Sequence, residues 1–97
     1  MIVVVAQLRI KPGFQEAIKK LAQVSVKATQ KEQGCNVYRF LQNPFDDCEF
    51  CFVEEWQNPE ALKAHRLQAH FIKWREESAH MVAERSVKRY NAAEIDV

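Results

Sequence analysis

The chain has 97 residues, 47% hydrophobic and 28% charged, which predicts one compact domain spanning residues 1–97 around a single core. Against 14 Lys and Arg stand 13 Asp and Glu, a formal charge of +1. That balance argues against a generic nucleic-acid binder or a protein drawn to acidic membranes, which would show a basic stripe or block. Only two glycines and three prolines are present, which excludes collagen-like, linker-rich and low-complexity classes.

The opening run Met1-Ile2-Val3-Val4-Val5-Ala6 meets Gln7 and Arg9 at once and has no basic segment before it. It is expected to be a strand, not a leader or a membrane span. This β-rich stretch extends over residues 2–10 and ends at Lys11-Pro12-Gly13, a turn signal. From Phe14 the period changes. Phe14, Ile18, Leu21, Ala22 and Ser25 recur at steps of three and four, predicting an amphipathic helix to about Gln33, closed by Gly34.

Residues 35–41 alternate as a second strand, Asn43-Pro44-Phe45-Asp46-Asp47 is a turn, and Glu49 to Trp56 forms a third strand, antiparallel to the second. Asn58-Pro59-Glu60 combines a cap residue, a first-position proline and an acid in the first turn, the marks of a helix start. Its spacing runs through Leu62 and His65, breaks near Ala69 and resumes at Phe71, Trp74, Ser78 and Val82. Glu84 to Asn91 alternates as a last strand, with Arg85, Val87 and Arg89 on one side. The order β-α-β-β-α-β predicts an α+β, ferredoxin-like fold with a four-stranded antiparallel sheet.

Two helices cover one face of such a sheet. The other carries Val3, Val5, Val37, Leu41, Cys51 and Val53 and is too apolar to be left in water, so a homodimer packed sheet against sheet is expected. Cys48 and Cys51 spell C-x-x-C, but residues three apart on a strand point to opposite faces, so no metal site is assigned. An odd count of three cysteines fits a reducing compartment, and a cytoplasmic location is expected.

Glu54 sits between Phe52 and Trp56 on the aromatic face of the third strand, where a carboxyl must find a partner or rise in pKa. His65 follows Leu62 by three residues on the buried side of the second helix. Both are expected to point into the space between sheet and helices, and to act together. His70, at the helix break, is placed to line a cavity mouth, whereas His80 lies on a polar stretch and is expected in solvent. Arg39 and Arg85 are expected on the sheet face away from the helices. No glycine-rich phosphate loop, serine nucleophile signature or H-E-x-x-H pair occurs.

The segments Gly34-Cys35-x-x-Tyr38, Phe50-x-Phe52-x-Glu54-x-Trp56 and Ala61-Leu62-x-x-His65-x-x-x-x-His70-Phe71 together resemble the antibiotic biosynthesis monooxygenase superfamily, which includes small quinol monooxygenases. The resemblance reaches from the first strand to about Val82. It implies a dimeric α/β barrel with a pocket in each subunit, and oxidation of a small quinol or phenol by dioxygen with no cofactor. In that reading His65 is the base and Glu54 its orienting partner, while Phe50, Phe52, Trp56, His70, Phe71 and Trp74 line the substrate pocket. Haem-degrading relatives carry Asn, Trp and a ligating His where this chain has Gln7, His65 and Arg75, so haem is not implied. An isomerase branch acting on a phosphorylated dihydroxypentanedione is also similar, through Leu41-Gln42-x-Pro44 and the paired histidines. Lys63, Arg66, Lys73 and Arg75 are the candidates for its phosphate site. A dimer that only binds a small molecule is the third reading.

Overall fold

A computed structural model describes residues 1–97. Its elements are β1 (Ile2–Ile10), α1 (Gln15–Thr29), β2 (Cys35–Asn43), β3 (Asp46–Trp56), α2 (Pro59–Arg66), α3 (Ala69–Ser78), a 3₁₀ turn (Ala79–Met81) and β4 (Val82–Asn91). The sheet order is β2-β3-β1-β4, and every neighbouring pair is antiparallel. This is the ferredoxin-like α+β arrangement that the alternation of periods predicts. No helix is long and apolar enough to cross a membrane.

The register fixes the faces. Val4 pairs with Glu54, Ala6 with Phe52 and Leu8 with Phe50, and the even-numbered residues of β1 and β3 lie under the helices. There they meet Ile18, Ala22, Ser25 and Thr29 of α1, Leu62 and His65 of α2, and Trp74 of α3, all buried. A run of rings crosses this core: Phe40 stacks on Phe50 at 5.0 Å, and Phe52 meets Trp74 edge-on at 5.3 Å. On the other face Val3, Val5, Val37, Cys51 and Val53 are half-buried and Leu41 is exposed.

β4 corrects one expectation. Arg85 pairs with Leu8, Val87 with Ala6 and Arg89 with Val4, so Arg85 lies on the helix-covered face and not opposite it. The alternation places these three side chains together, but only the pairing register decides which way an edge strand with polar residues on both sides is turned. β4 also begins two residues earlier than expected, at Val82, which pairs with Ile10 across a register shift in β1.

α1 stops at Thr29, four residues before the expected end. The chain then tightens: Lys31 N–H donates to the Ala28 carbonyl, Glu32 N–H to that of Thr29 and Cys35 N–H to that of Glu32. α2 starts as its sequence predicts, with Asn58 Oδ1 accepting from Ala61 N–H at 2.9 Å. Between them, Gly34 has φ +83 and its carbonyl accepts from Gln57 N–H at 2.8 Å. A Cβ added at Gly34 would lie 2.6 Å from the Ala61 Cβ. Gly34→Ala therefore combines the cost of a left-handed L-residue, about 1–2 kcal/mol, with a clash against a helix methyl that has no rotamer to escape into. Urea denaturation is expected to show a loss of at least about 2 kcal/mol. A loss under about 0.5 kcal/mol would mean that the α1–β2 turn and α2 move apart freely.

Candidate active site

The catalytic candidates converge on a cavity of about 240 Å³ between the β1–β4 half of the sheet and helices α2 and α3. It falls just below the range of about 300–1,000 Å³ usual for ligand pockets, a size suited to a one-ring molecule. Val4, Ala6, Leu8, Tyr38, Phe52, Phe71 and Trp74 supply its apolar wall, and Glu54, His65, Arg66, Arg75, Arg85 and Arg89 its polar groups.

His65 is 1% exposed and packed among rings, with Trp56 at 4.7 Å, Phe71 at 4.9 Å and Tyr38 at 5.4 Å. Its Nδ1 lies 2.7 Å from Glu32 Oε2, and the Nε2 of His70 lies 2.7 Å from the same oxygen. A carboxylate oxygen only accepts, so Nδ1–H of His65 and Nε2–H of His70 are the donors. Burial lowers the pKa of His65, against the opposing pull of Glu32, and the neighbouring His70 and Arg66 lower it further. A neutral His65 with its proton on Nδ1 carries a bare lone pair on Nε2. That atom is buried and has no hydrogen-bond partner.

Glu54 does not pair with His65. Its Oε1 accepts from Trp56 Nε1–H at 2.9 Å. Burial raises its carboxyl to about 7, against the lowering effect of that bond and of Arg66 and Arg89. The orienting partner of His65 is Glu32, a residue that the sequence analysis does not single out. It sits in the polar stretch Lys31-Glu32-Gln33, inside the helix expected to run to about Gln33, and only the early end of α1 at Thr29 and the folding-back of α2 and α3 bring it to the histidines.

The aromatic candidates divide. Phe52, Phe71 and Trp74 line the cavity. Phe50, 1% exposed, is core beneath Phe40, and Trp56, fully buried, stands behind the wall as the donor to Glu54. His70 lies on the far side of Glu32 and borders a separate groove between α1 and α3. Tyr38 and three further cavity residues, Arg85, Val87 and Arg89, join the site from β2 and β4. Of the four basic residues considered for an anion, Arg66 and Arg75 reach the cavity and Lys63 and Lys73 do not. His80 is exposed, with its ring edge-on to Phe14. Cys48 faces the helices and accepts from Gln15 Nε2–H at 3.5 Å, while Cys51 lies on the opposite face.

The family model for antibiotic biosynthesis monooxygenase matches residues 1–77. The chain belongs to this family. It is 31% identical over 71 residues to the Bacillus subtilis (strain 168) protein named "Putative monooxygenase YcnE", a match covering 73% of this chain and 75% of that one. The solved structure of a protein named "Putative antibiotic biosynthesis monooxygenase from Nitrosomonas europaea" superposes with a TM-score of 0.94 at 25% identity, covering 97% of this chain and all of the other. One from Deinococcus radiodurans, named "putative antibiotic biosynthesis monooxygenase", gives 0.92 at 21% identity over 100% and 98% of the two chains, and at that identity it speaks for the fold alone.

The raised Glu54 carboxyl has a consequence for stability. Its folded pKa of about 7 stands above the ordinary 4.5, so the folded state holds a proton that the unfolded state releases. Stability is then expected to fall as pH rises from about 4.5 to about 7, by roughly 3 kcal/mol if the shift is fully expressed. Below that window the penalty is absent, and above it the penalty is complete. Glu54→Gln, measured by urea denaturation across pH 4.5–8, is expected to flatten this slope. An unchanged slope in the variant would place the pH dependence elsewhere.

Proposed function

We propose that this member of the family is a cofactor-independent monooxygenase that oxidises a small quinol or phenol with dioxygen. The observation that carries the reading is the unpartnered Nε2 of His65, held with its lone pair free because Nδ1–H is committed to Glu32. A base of this kind, buried beside a cavity with aromatic walls, is what removing a phenolic proton near neutral pH requires.

The chemistry then belongs to the substrate. Nε2 takes the hydroxyl proton, and the imidazolium is stabilised by the Glu32 carboxylate at Nδ1–H, the orienting role that the acid of a catalytic triad plays. The electron-rich phenolate passes one electron to dioxygen, giving an aryloxyl radical and superoxide. These join through a new C–O bond, and with the proton returned the product is a hydroperoxide. Loss of water breaks the O–O bond and the C–H bond at the same carbon, leaving a carbonyl. One substrate and one dioxygen give one quinone and one water. Phe52, Phe71 and Trp74 hold the ring, and the guanidinium groups of the cavity favour both the phenolate and superoxide.

We further infer that the subunit works as a homodimer, with Val3, Val5, Val37, Leu41 and Val53 as the covered face, since an apolar sheet face of this kind is rarely left in water. Light scattering at micromolar concentration is expected to give twice the chain mass, and the chain mass alone would contradict this.

A second reading, isomerisation of a phosphorylated hydroxydiketone, is favoured by the four cavity arginines. The same base would then remove a proton next to a carbonyl, and no oxygen would be consumed. Oxygen uptake with a panel of quinols and polyphenols, corrected for autoxidation and run with a chelator, separates the two. Uptake that survives chelation, falls at least about 100-fold in His65→Ala and falls about 10- to 100-fold in Glu32→Gln is the expected result. No uptake across the panel would overturn the monooxygenase reading, and uptake unaltered in His65→Ala would overturn the base.

A further inference from the structure

Four guanidinium groups line the cavity: Arg66 from α2, Arg75 from α3, and Arg85 and Arg89 from β4. The only carboxyl among the lining residues is Glu54, which Trp56 already engages. None of the four arginines forms an ion pair. Those of the chain are Arg9 with Asp46, Lys19 with Glu16, and Glu32 with the two histidines. The groups are close enough to act on one another, Arg66 on Arg89 and Arg75, and Arg75 on Arg85, and Arg75 also lies over the Phe71 ring at 6.0 Å.

The choice of residue is selective. Four of the six arginines in the sequence reach this cavity and none of the eight lysines does. A merely solvated basic face would not sort them this way, whereas a planar fork of N–H donors suits carboxylate and phosphate oxygens. The rim also exceeds what the reacting group needs. A phenolate brings one transient negative charge, and until it forms, the guanidinium of Arg66, next to His65 in α2, opposes protonation of that histidine. A fixed anion on the substrate removes that opposition before the proton moves.

We propose that the substrate carries, besides the hydroxyl that reacts, a permanent oxyanion substituent, a carboxylate or a phosphate, bound by Arg66, Arg75, Arg85 and Arg89. The inference rests on the oxidation proposed above for the reacting hydroxyl, but not for the anion. It places the reactive ring against Phe52 and Trp74 with its hydroxyl toward His65 and its charged end toward β4.

The test separates binding from turnover. Benzoate, phenyl phosphate and neutral benzamide are titrated into the full chain, following Trp fluorescence and heat. At least one anion is expected to bind 10-fold or more tightly than benzamide, and to lose that advantage as salt is added. The stronger of the two anions identifies the substituent. Arg85→Gln and Arg89→Gln are each expected to weaken the anion about 10-fold and leave benzamide unchanged, with Lys73→Gln as the control that changes neither. Equal binding of anions and benzamide, or anion binding indifferent to both arginine variants, overturns the proposal. Oxygen uptake with 2,5-dihydroxybenzoate against methylhydroquinone then tests the other half. Arginine-dependent binding without uptake leaves the rim standing and removes the oxidation. Equal oxidation of both compounds, unchanged in Arg85→Gln, does the reverse.

Discussion

One carboxylate oxygen organises this molecule. Glu32 Oε2 accepts from His65 and from His70, each at 2.7 Å, and its side chain is only 11% exposed. Through it the turn after α1 is tied by side chains to both α2 and α3. A buried carboxylate is costly unless its lone pairs are used, and a buried imidazole N–H is costly unless it finds an acceptor. Here each need meets the other. Loss of Glu32 would strand two donors at once, so its effect on His65 is positional as well as electrostatic. The free Nε2 lone pair exists because the opposite nitrogen is committed.

Around that constraint the sheet divides the labour. Its helix-covered face is aromatic toward β2 and β3, where Phe40, Phe50 and Phe52 interlock, and it becomes small and open toward β1 and β4. The rings that build the core therefore stop short of the edge strand. The space left over is the cavity, roofed by Phe71 and Trp74 and bordered by the arginines of β4. Glu54 stands at the join, held by Trp56 from the packed side and opening onto the cavity on the other. Its raised pKa follows from that position, because burial outweighs the donor and the nearby guanidinium groups.

Much of this was legible in the residues. Period-two alternation in β3 places Glu54 with Phe52 and Trp56, and helical spacing puts His65 beside Leu62, because face assignment within one element needs only its own periodicity. The Asn58-Pro59-Glu60 start is local chemistry and reads directly. Glu32 was not legible, since an acid between Lys31 and Gln33 has no local mark, and its burial results from elements that lie 33 and 38 residues further along the chain. The face of Arg85 failed for a similar reason, as strand pairing and not alternation decides it. Phe50 and Trp56 carry the same pattern as Phe52, and whether an aromatic residue lines a cavity or fills the core depends on what packs opposite.

The account turns on the tautomer of His65, which long-range ¹H–¹⁵N NMR of the imidazole reads directly in the wild-type protein at neutral pH. The expected spectrum shows a neutral ring with the proton on Nδ1 and a bare Nε2, and in Glu32→Gln the population shifts toward the other tautomer. A proton resident on Nε2, or a fully charged ring at that pH, would leave His65 without a free base and would contradict the account at its centre.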